Sequence, residues 1–260
     1  MLNIKDSGEI IEVELVGRGP RNVLTWEVMR ELRDCAIRLQ DNARVRVIVL
    51  KGRDDVFTGG FDLESAVGAI RNAESLTELR SLNRLGGELC SAWEKISAIT
   101  ICAIEGYCVG GGAALAISCD LRVAGAGARF YVPEILRAMN LGWGAIPRLV
   151  NLIGPARAKE VCILADKVDA EAALSLGLIE RCVAAGDAAK AAREMAEIVA
   201  KRPPVAAQII KRSINAYASA LVDVASFADG DQFILMTKSG DFSEGVDSFL
   251  EKREPAFTGK

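Results

Sequence analysis

Residues 102–120, Cys-Ala-Ile-Glu-Gly-Tyr-Cys-Val-Gly-Gly-Gly-Ala-Ala-Leu-Ala-Ile-Ser-Cys-Asp, carry an apolar strand into three consecutive glycines, Gly110, Gly111 and Gly112, and then into a small-residue helix. Glycine lets a backbone approach a ligand closely, and the first amides of a helix have no internal acceptor, so this break can donate to a negatively charged oxygen. A second break of the same kind lies about fifty residues upstream, where Val45–Leu50 runs into Phe57-Thr-Gly-Gly-Phe-Asp62. Two sets of strand-terminal amides aimed at one carbonyl oxygen would form an oxyanion hole. The chain contains no histidine, which excludes Ser-His-Asp and Cys-His relays and leaves acid–base work to carboxylates, Lys, Tyr or Cys.

Other readings of the glycines fit less well. In Gly110-Gly-Gly-Ala-Ala-Leu115 the third glycine of a dinucleotide fingerprint is missing, and no Gly-Lys-Ser/Thr phosphate loop is present. Close packing of a helix on a strand would also use glycines here. Read from its neighbours alone, Glu134 after Pro133 fits a helix start favoured by the dipole as well as it fits a base.

The elements that would hold these residues alternate. Ile10–Val16 reads as a strand, Thr25–Gln40 as a helix with Thr25 at its N-cap, and Val45–Leu50 as a buried strand. Leu76–Trp93 reads as a helix, Thr100–Ile104 as a strand, Ala113–Ser118 as a short helix and Leu121–Ala124 as a strand. This β/α alternation predicts a mainly parallel sheet. Beyond Pro133 the pattern turns helical: Ile146–Ile153, Pro155–Leu164, Ala170–Leu176, Asp187–Lys201 and Val205–Ala218, with Leu178–Val183 as a possible strand. The prolines of Lys201-Arg-Pro-Pro204 mark a boundary between a core, 1–202, and a helical region, 203–260, whose apolar positions need a partner surface.

Half of the 260 residues are hydrophobic, enough for a large core, and the net charge of -3 from 32 basic and 35 acidic residues draws the chain to neither nucleic acid nor membrane. The seven cysteines are scattered without a C-x-x-C pair, no targeting segment or transmembrane-length run is seen, and a reduced cytoplasmic setting is expected.

In order and spacing these segments resemble the crotonase, or enoyl-CoA hydratase/isomerase, superfamily over essentially the whole chain. The resemblance is carried by Asn22-Val-Leu-Thr25, the Val45–Leu50 strand with Phe57-x-x-Gly-x-Asp62, Glu105-Gly-Tyr-x-x-Gly-Gly-Gly112, Pro133-Glu134, Arg148-Leu149, the stretch Ala165–Leu178, and Asp241–Phe257. It implies an α/β fold, a crotonase-like spiral of repeated ββα units with a C-terminal helical trimerisation region, in a homotrimer or hexamer that takes an acyl-CoA. Coenzyme A would enter as part of the substrate, with no cofactor and no metal.

Carried over by position, the oxyanion amides fall on Phe61 and Gly111, and the catalytic carboxylate on Glu134. Gly60, Asp62, Gly110, Gly112, Ala114 and Trp143 become candidate substrate contacts, although Asp62 also fits the N-cap of the next helix. Hydratases of the family have a second carboxylate where this chain has Ala114. Their glycine-rich segment after the Glu is here Leu141-Gly-Trp-Gly-Ala-Ile-Pro-Arg-Leu149, so Trp143 and Pro147 should reshape the acyl pocket, with Asn140 as a polar contact. Glu105 is expected in a structural ion pair, Tyr107, Tyr131 and Cys108 are conceivable acids, and Arg18, Arg21 and Arg53 are candidates for the CoA phosphates.

The single carboxylate points to migration of a double bond from the 3 to the 2 position of an enoyl-CoA. One-carboxylate hydration, decarboxylation or C–C bond formation through the same enolate, and a non-catalytic acyl-CoA- or RNA-binding role are the alternatives.

Overall fold

The computed structural model describes the backbone of residues 1–260 and the side chains of all but Ala66, Ile70 and Arg71. Its elements, in order, are β1 (Leu2–Asp6), β2 (Ile10–Leu15), α1 (Trp26–Leu39), β3 (Val47–Lys51), α2 (Leu63–Asn72), α3 (Leu76–Glu94), β4 (Ile99–Ile104), β5 (Tyr107–Val109), α4 (Gly111–Ile117), β6 (Leu121–Gly125), β7 (Arg129–Tyr131), a 3₁₀ turn (Glu134–Arg137), α5 (Ala145–Lys159), a π-helical turn (Glu160–Leu164), β8 (Val168–Asp169), α6 (Ala170–Leu176), β9 (Arg181–Val183), α7 (Ala188–Ala200), α8 (Pro204–Ala218), α9 (Val222–Ser226), α10 (Asp229–Met236) and α11 (Gly240–Glu251).

Apolar runs such as Val47-Ile-Val-Leu50 make central parallel strands because both of their faces are covered. The six-stranded sheet has the order β1-β2-β3-β4-β6-β9, with only β1 antiparallel to its neighbour. Strand alternation sends Ile48 and Leu50 into the main core with Leu32, Phe57, Leu89 and Trp93, while Val47 and Val49 face the alanine-rich side of α7, including Ala192 and Ala196. Thr25 caps α1 as its position predicts, accepting from the Val28 amide at 3.4 Å. Pro204 opens α8, where its missing N–H costs nothing.

A three-stranded sheet, β5-β7-β8, lies apart from the first and was not legible as strands in the sequence. Its members are only two or three residues long, too short for a period to show. Strand β1 was missed as well, because as an edge strand it keeps Asn3, Lys5 and Asp6 exposed.

Two smaller expectations change. Glu105 pairs with no cation among the described residues; its Oε1 accepts the amides of Gly186 and Ala188 at 3.0 and 2.9 Å, so it caps α7 across the sheet. Asp62 does stand at the N-cap position of α2, but its carboxylate takes the Ser65 hydroxyl and Arg18, both at 2.6 Å, instead of a backbone amide. No helix among the described residues is long and apolar enough to cross a membrane.

Candidate active site

The two glycine-rich breaks lie side by side because a short parallel pairing joins them. The Thr58 amide donates to the Tyr107 carbonyl at 2.9 Å, and the Val109 amide returns a bond to the Thr58 carbonyl at 3.1 Å. Asn22, fully buried, clamps this junction: its Nδ2 donates to the carbonyls of Leu15 and Phe57, its Oδ1 accepts from Gly17, and its own carbonyl accepts from Thr58 Oγ1 at 2.6 Å. Asn22 adopts φ 54°, a left-handed conformation that asparagine tolerates better than most residues.

At the end of this junction the amides of Gly60 and Asp62 are engaged, with Thr58 Oγ1 at 3.1 Å and the Leu24 carbonyl at 3.0 Å. The Phe61 amide between them donates to no described group. Gly111 begins α4, so its amide has no helical acceptor. Both residues line one cavity of about 760 Å³, in the size range of small-molecule sites, together with Gly60, Asp62, Gly110, Ala114, Glu134 and Trp143. Gly112 does not line it; a Cβ there would stand 2.2 Å from Thr58 Cγ2, so this glycine permits close packing of α4 on the 57–60 segment.

Glu134 enters the cavity from the 3₁₀ turn that Pro133 starts. Its carboxyl rests against Gly110, where a Cβ would stand only 2.4 Å from Oε1, and its buried Oε2 has no hydrogen-bond partner. Burial pushes the carboxyl up to about 7, against the opposing pull of its own backbone amide and of Arg137. A carboxyl at that value holds or releases a proton near neutral pH, as a proton shuttle requires.

The same shift makes stability depend on pH. Below the ordinary carboxyl value of 4.5 the group is neutral in folded and unfolded chains alike; as pH rises the unfolded chain loses its proton first, and the folded state loses stability until about pH 7. Glu134→Gln, which has no proton to lose, is therefore expected to gain about 2–3 kcal/mol relative to wild type between pH 4.5 and 7.5. Denaturant unfolding at both pH values checks this, and an unchanged difference would refute the neutral, buried carboxyl.

Trp143 shapes the rest of the wall. Its indole fills a slot that exists only because Gly86 on α3 and Gly111 on α4 lack side chains: a Cβ at either would lie 2.0 or 2.5 Å from the ring. The ring meets Phe61 edge-on at 5.9 Å, and Phe61 meets Trp26 at 4.8 Å, giving an aromatic tier beside the Phe61 and Gly111 amides. Trp143 and Gly144 both adopt left-handed φ, 62° and 67°, and buried Arg148 holds this turn by donating to both their carbonyls while pairing with Glu94 at 2.7 Å. Gly86 was not singled out by sequence reasoning, since one glycine in a helix carries no signal of what packs against it.

The remaining candidates separate. Tyr107 and Tyr131 line the cavity with Lys167, whose ammonium lies 5.7 and 5.6 Å from their rings. Cys108 is fully buried outside the cavity lining, and burial pushes its thiol well up, so it is not an accessible acid. Arg18 and Arg21 line the cavity mouth beside Gly19 and Pro20, whereas Arg53 braces that loop by donating to the carbonyls of Gly19 and Pro20 at 2.7 and 2.6 Å. Asn140 lines the cavity too.

Residues 5–260 match the family model described as enoyl-CoA hydratase/isomerase. Among similar proteins, "Probable enoyl-CoA hydratase 2, mitochondrial" of Arabidopsis thaliana is 32% identical over 99% of this chain and 84% of its own length. The crotonyl-CoA hydratase of Syntrophomonas wolfei is 29% identical over 92% of this chain and 90% of its own. The crystal structure of an enoyl-CoA hydratase from Mycobacterium avium subsp. paratuberculosis superposes with a TM-score of 0.87 at 22% identity, covering 99% of this chain and 98% of that one, which establishes the crotonase-type fold. With a family match spanning almost every residue and the fold in agreement, the chain belongs to the enoyl-CoA hydratase/isomerase family of acyl-CoA enzymes.

Proposed function

We propose that the protein moves the double bond of a 3-enoyl-CoA to the 2 position, with Glu134 as the single proton carrier. The observation that carries this reading is one carboxyl, raised to about 7, in the same cavity as the amides of Phe61 and Gly111 and with Ala114 where a second carboxylate would stand. The two amides hold the thioester oxygen as it gains charge, a role in which one donor is worth about 10²–10³ in rate. Glu134 takes a proton from the carbon next to the thioester carbonyl, and the same carboxyl returns it to the fourth carbon once the double bond has shifted. The reaction is balanced within the substrate and needs neither cofactor nor metal.

Hydration is the second reading, favoured by the hydratase names of the relatives. Mass-resolved turnover of 3-enoyl- and 2-enoyl-CoA in deuterated water separates the two. Isomerisation without mass gain from added water is the expected outcome; formation of a 3-hydroxyacyl-CoA would overturn the isomerase reading.

Assembly into a homotrimer or hexamer is part of the same proposal. Ile209, Ile210, Ile214, Tyr217, Leu221 and Phe227 stand exposed on the single chain, an apolar run that calls for cover.

A further inference from the structure

Arg137 ends the 3₁₀ turn that Glu134 begins. Residues three apart in such a turn stand on one face, so a carboxyl and a guanidinium line the cavity together. The two are not an ion pair: the Glu134 carboxyl leans on Gly110, while the Arg137 guanidinium lies over the Phe249 ring of α11, its Cζ 4.0 Å from the centroid. Helix α11 comes this close because Gly245, one turn before Phe249, has no side chain; a Cβ there would stand 2.7 Å from the Arg137 Cα.

Only part of this guanidinium is engaged. Nη1 donates to the Pro133 carbonyl at 3.0 Å, whereas Nε and Nη2 donate to no described group. Unlike the sealed Nε of Arg148, which does not line the cavity, these two nitrogens are not closed off. Glu134 is the carboxyl that acts on Arg137, and with its own value at about 7 it is protonated in about half of the molecules at neutral pH. The other cations of the cavity wall are better provided for: Arg18 pairs with Asp62 at 2.6 Å, and Arg21 and Lys167 are exposed to water. Arg137 is half-buried, and burial works against its charge.

We propose that the Nε–Nη2 edge of Arg137 receives a carboxylate at the far end of the acyl chain, which makes the preferred substrates CoA thioesters of dicarboxylic acids. The inference rests on the acyl-CoA reading above and names the class of acyl group. A planar guanidinium stacked on a ring presents that edge to both oxygens of a carboxylate, the strongest pairing open to it. An alkyl tail would cover the guanidinium without supplying a partner, and an ammonium tail would be repelled by it. The CoA phosphates are anions too, but the pantetheine arm holds them far from the thioester. Arg137 instead shares a turn with Glu134, whose carboxyl serves the carbon next to the thioester in that reading.

The test is equilibrium binding of saturated acyl-CoA pairs, terminal carboxylate against its methyl ester, with chains of roughly five to nine carbons to sample the cavity's reach. At one chain length the wild-type protein is expected to bind the carboxylate about tenfold to a hundredfold more tightly than the ester. Arg137→Leu, checked for a native unfolding midpoint, should abolish that preference while still binding the ester and free CoA. Esters bound as well as carboxylates at every length would overturn the carboxylate site alone, and this wild-type comparison stands by itself should Arg137→Leu unfold. A preference that survives in Arg137→Leu would overturn it too. So would an equal loss of affinity for free CoA, which would assign Arg137 to a phosphate. Failure of the wild-type protein to bind any acyl-CoA would instead overturn the acyl-CoA reading together with this one.

Discussion

Glu134→Gln is expected to lower kcat for 3-enoyl-CoA by about 10²–10⁴-fold while leaving KM close to wild type, because the amide keeps the shape of the carboxyl and loses only the proton transfer. Exchange of the hydrogen next to the thioester carbonyl with deuterated water should fall with it, since the same carboxyl starts both processes. In wild type, kcat/KM should rise with pH through about 7 and then level off, as the buried carboxyl becomes ionised and able to accept a proton. A variant that keeps more than about a tenth of the activity would show that another group carries the proton. Tyr131 would then be examined first, because it lines the same cavity and Arg137 lies near both it and Glu134.

The parts of this site differ in how far they could be read in advance. The two glycine-rich breaks that carry the Phe61 and Gly111 amides were legible because glycines at 59–60 and 110–112 are visible in the sequence without any partner. Glu134 became a candidate base only through the family's spacing; alone, a Glu after Pro133 is equally a helix start. For the residues that hold the site together, the contacts and not the residues were hidden, since each depends on a partner far along the chain. Asn22 bonds the Phe57 carbonyl 35 residues away, Arg148 pairs with Glu94 across 54, and Trp143 fills the gap over Gly86. The central parallel strands were legible because burial on both faces writes an unbroken apolar run, whereas β5, β7 and β8 leave no such trace. Glu105 misled because a carboxylate suggests a cation, when its actual partners are two amides some eighty residues on.

Gly110→Ala should damage both the fold and the site, and the two costs can be separated. Gly110 adopts φ 50° and ψ -113°, outside the regions open to residues with a Cβ, and holding alanine there costs about 1–3 kcal/mol. The added methyl would also stand 2.4 Å from Glu134 Oε1 and 3.3 Å from its Cδ, so the carboxyl must move. A displacement of about 1 Å at a reacting group is enough to lose about 10²-fold in rate. Stability is expected to fall by about 2–4 kcal/mol in the wild-type background, and by only the backbone part when Glu134→Ala removes the clashing carboxyl. Gly87→Ala serves as the control, for Gly87 sits inside α3 with nothing within 4 Å of an added Cβ, and there alanine should stabilise by about 0.5–1 kcal/mol. If Gly110→Ala costs the same with and without the Glu134 side chain, the carboxyl does not rest against Gly110. Glu134 would then lie away from the amides of Phe61 and Gly111, where one carboxyl could not serve a thioester bound between them as proposed.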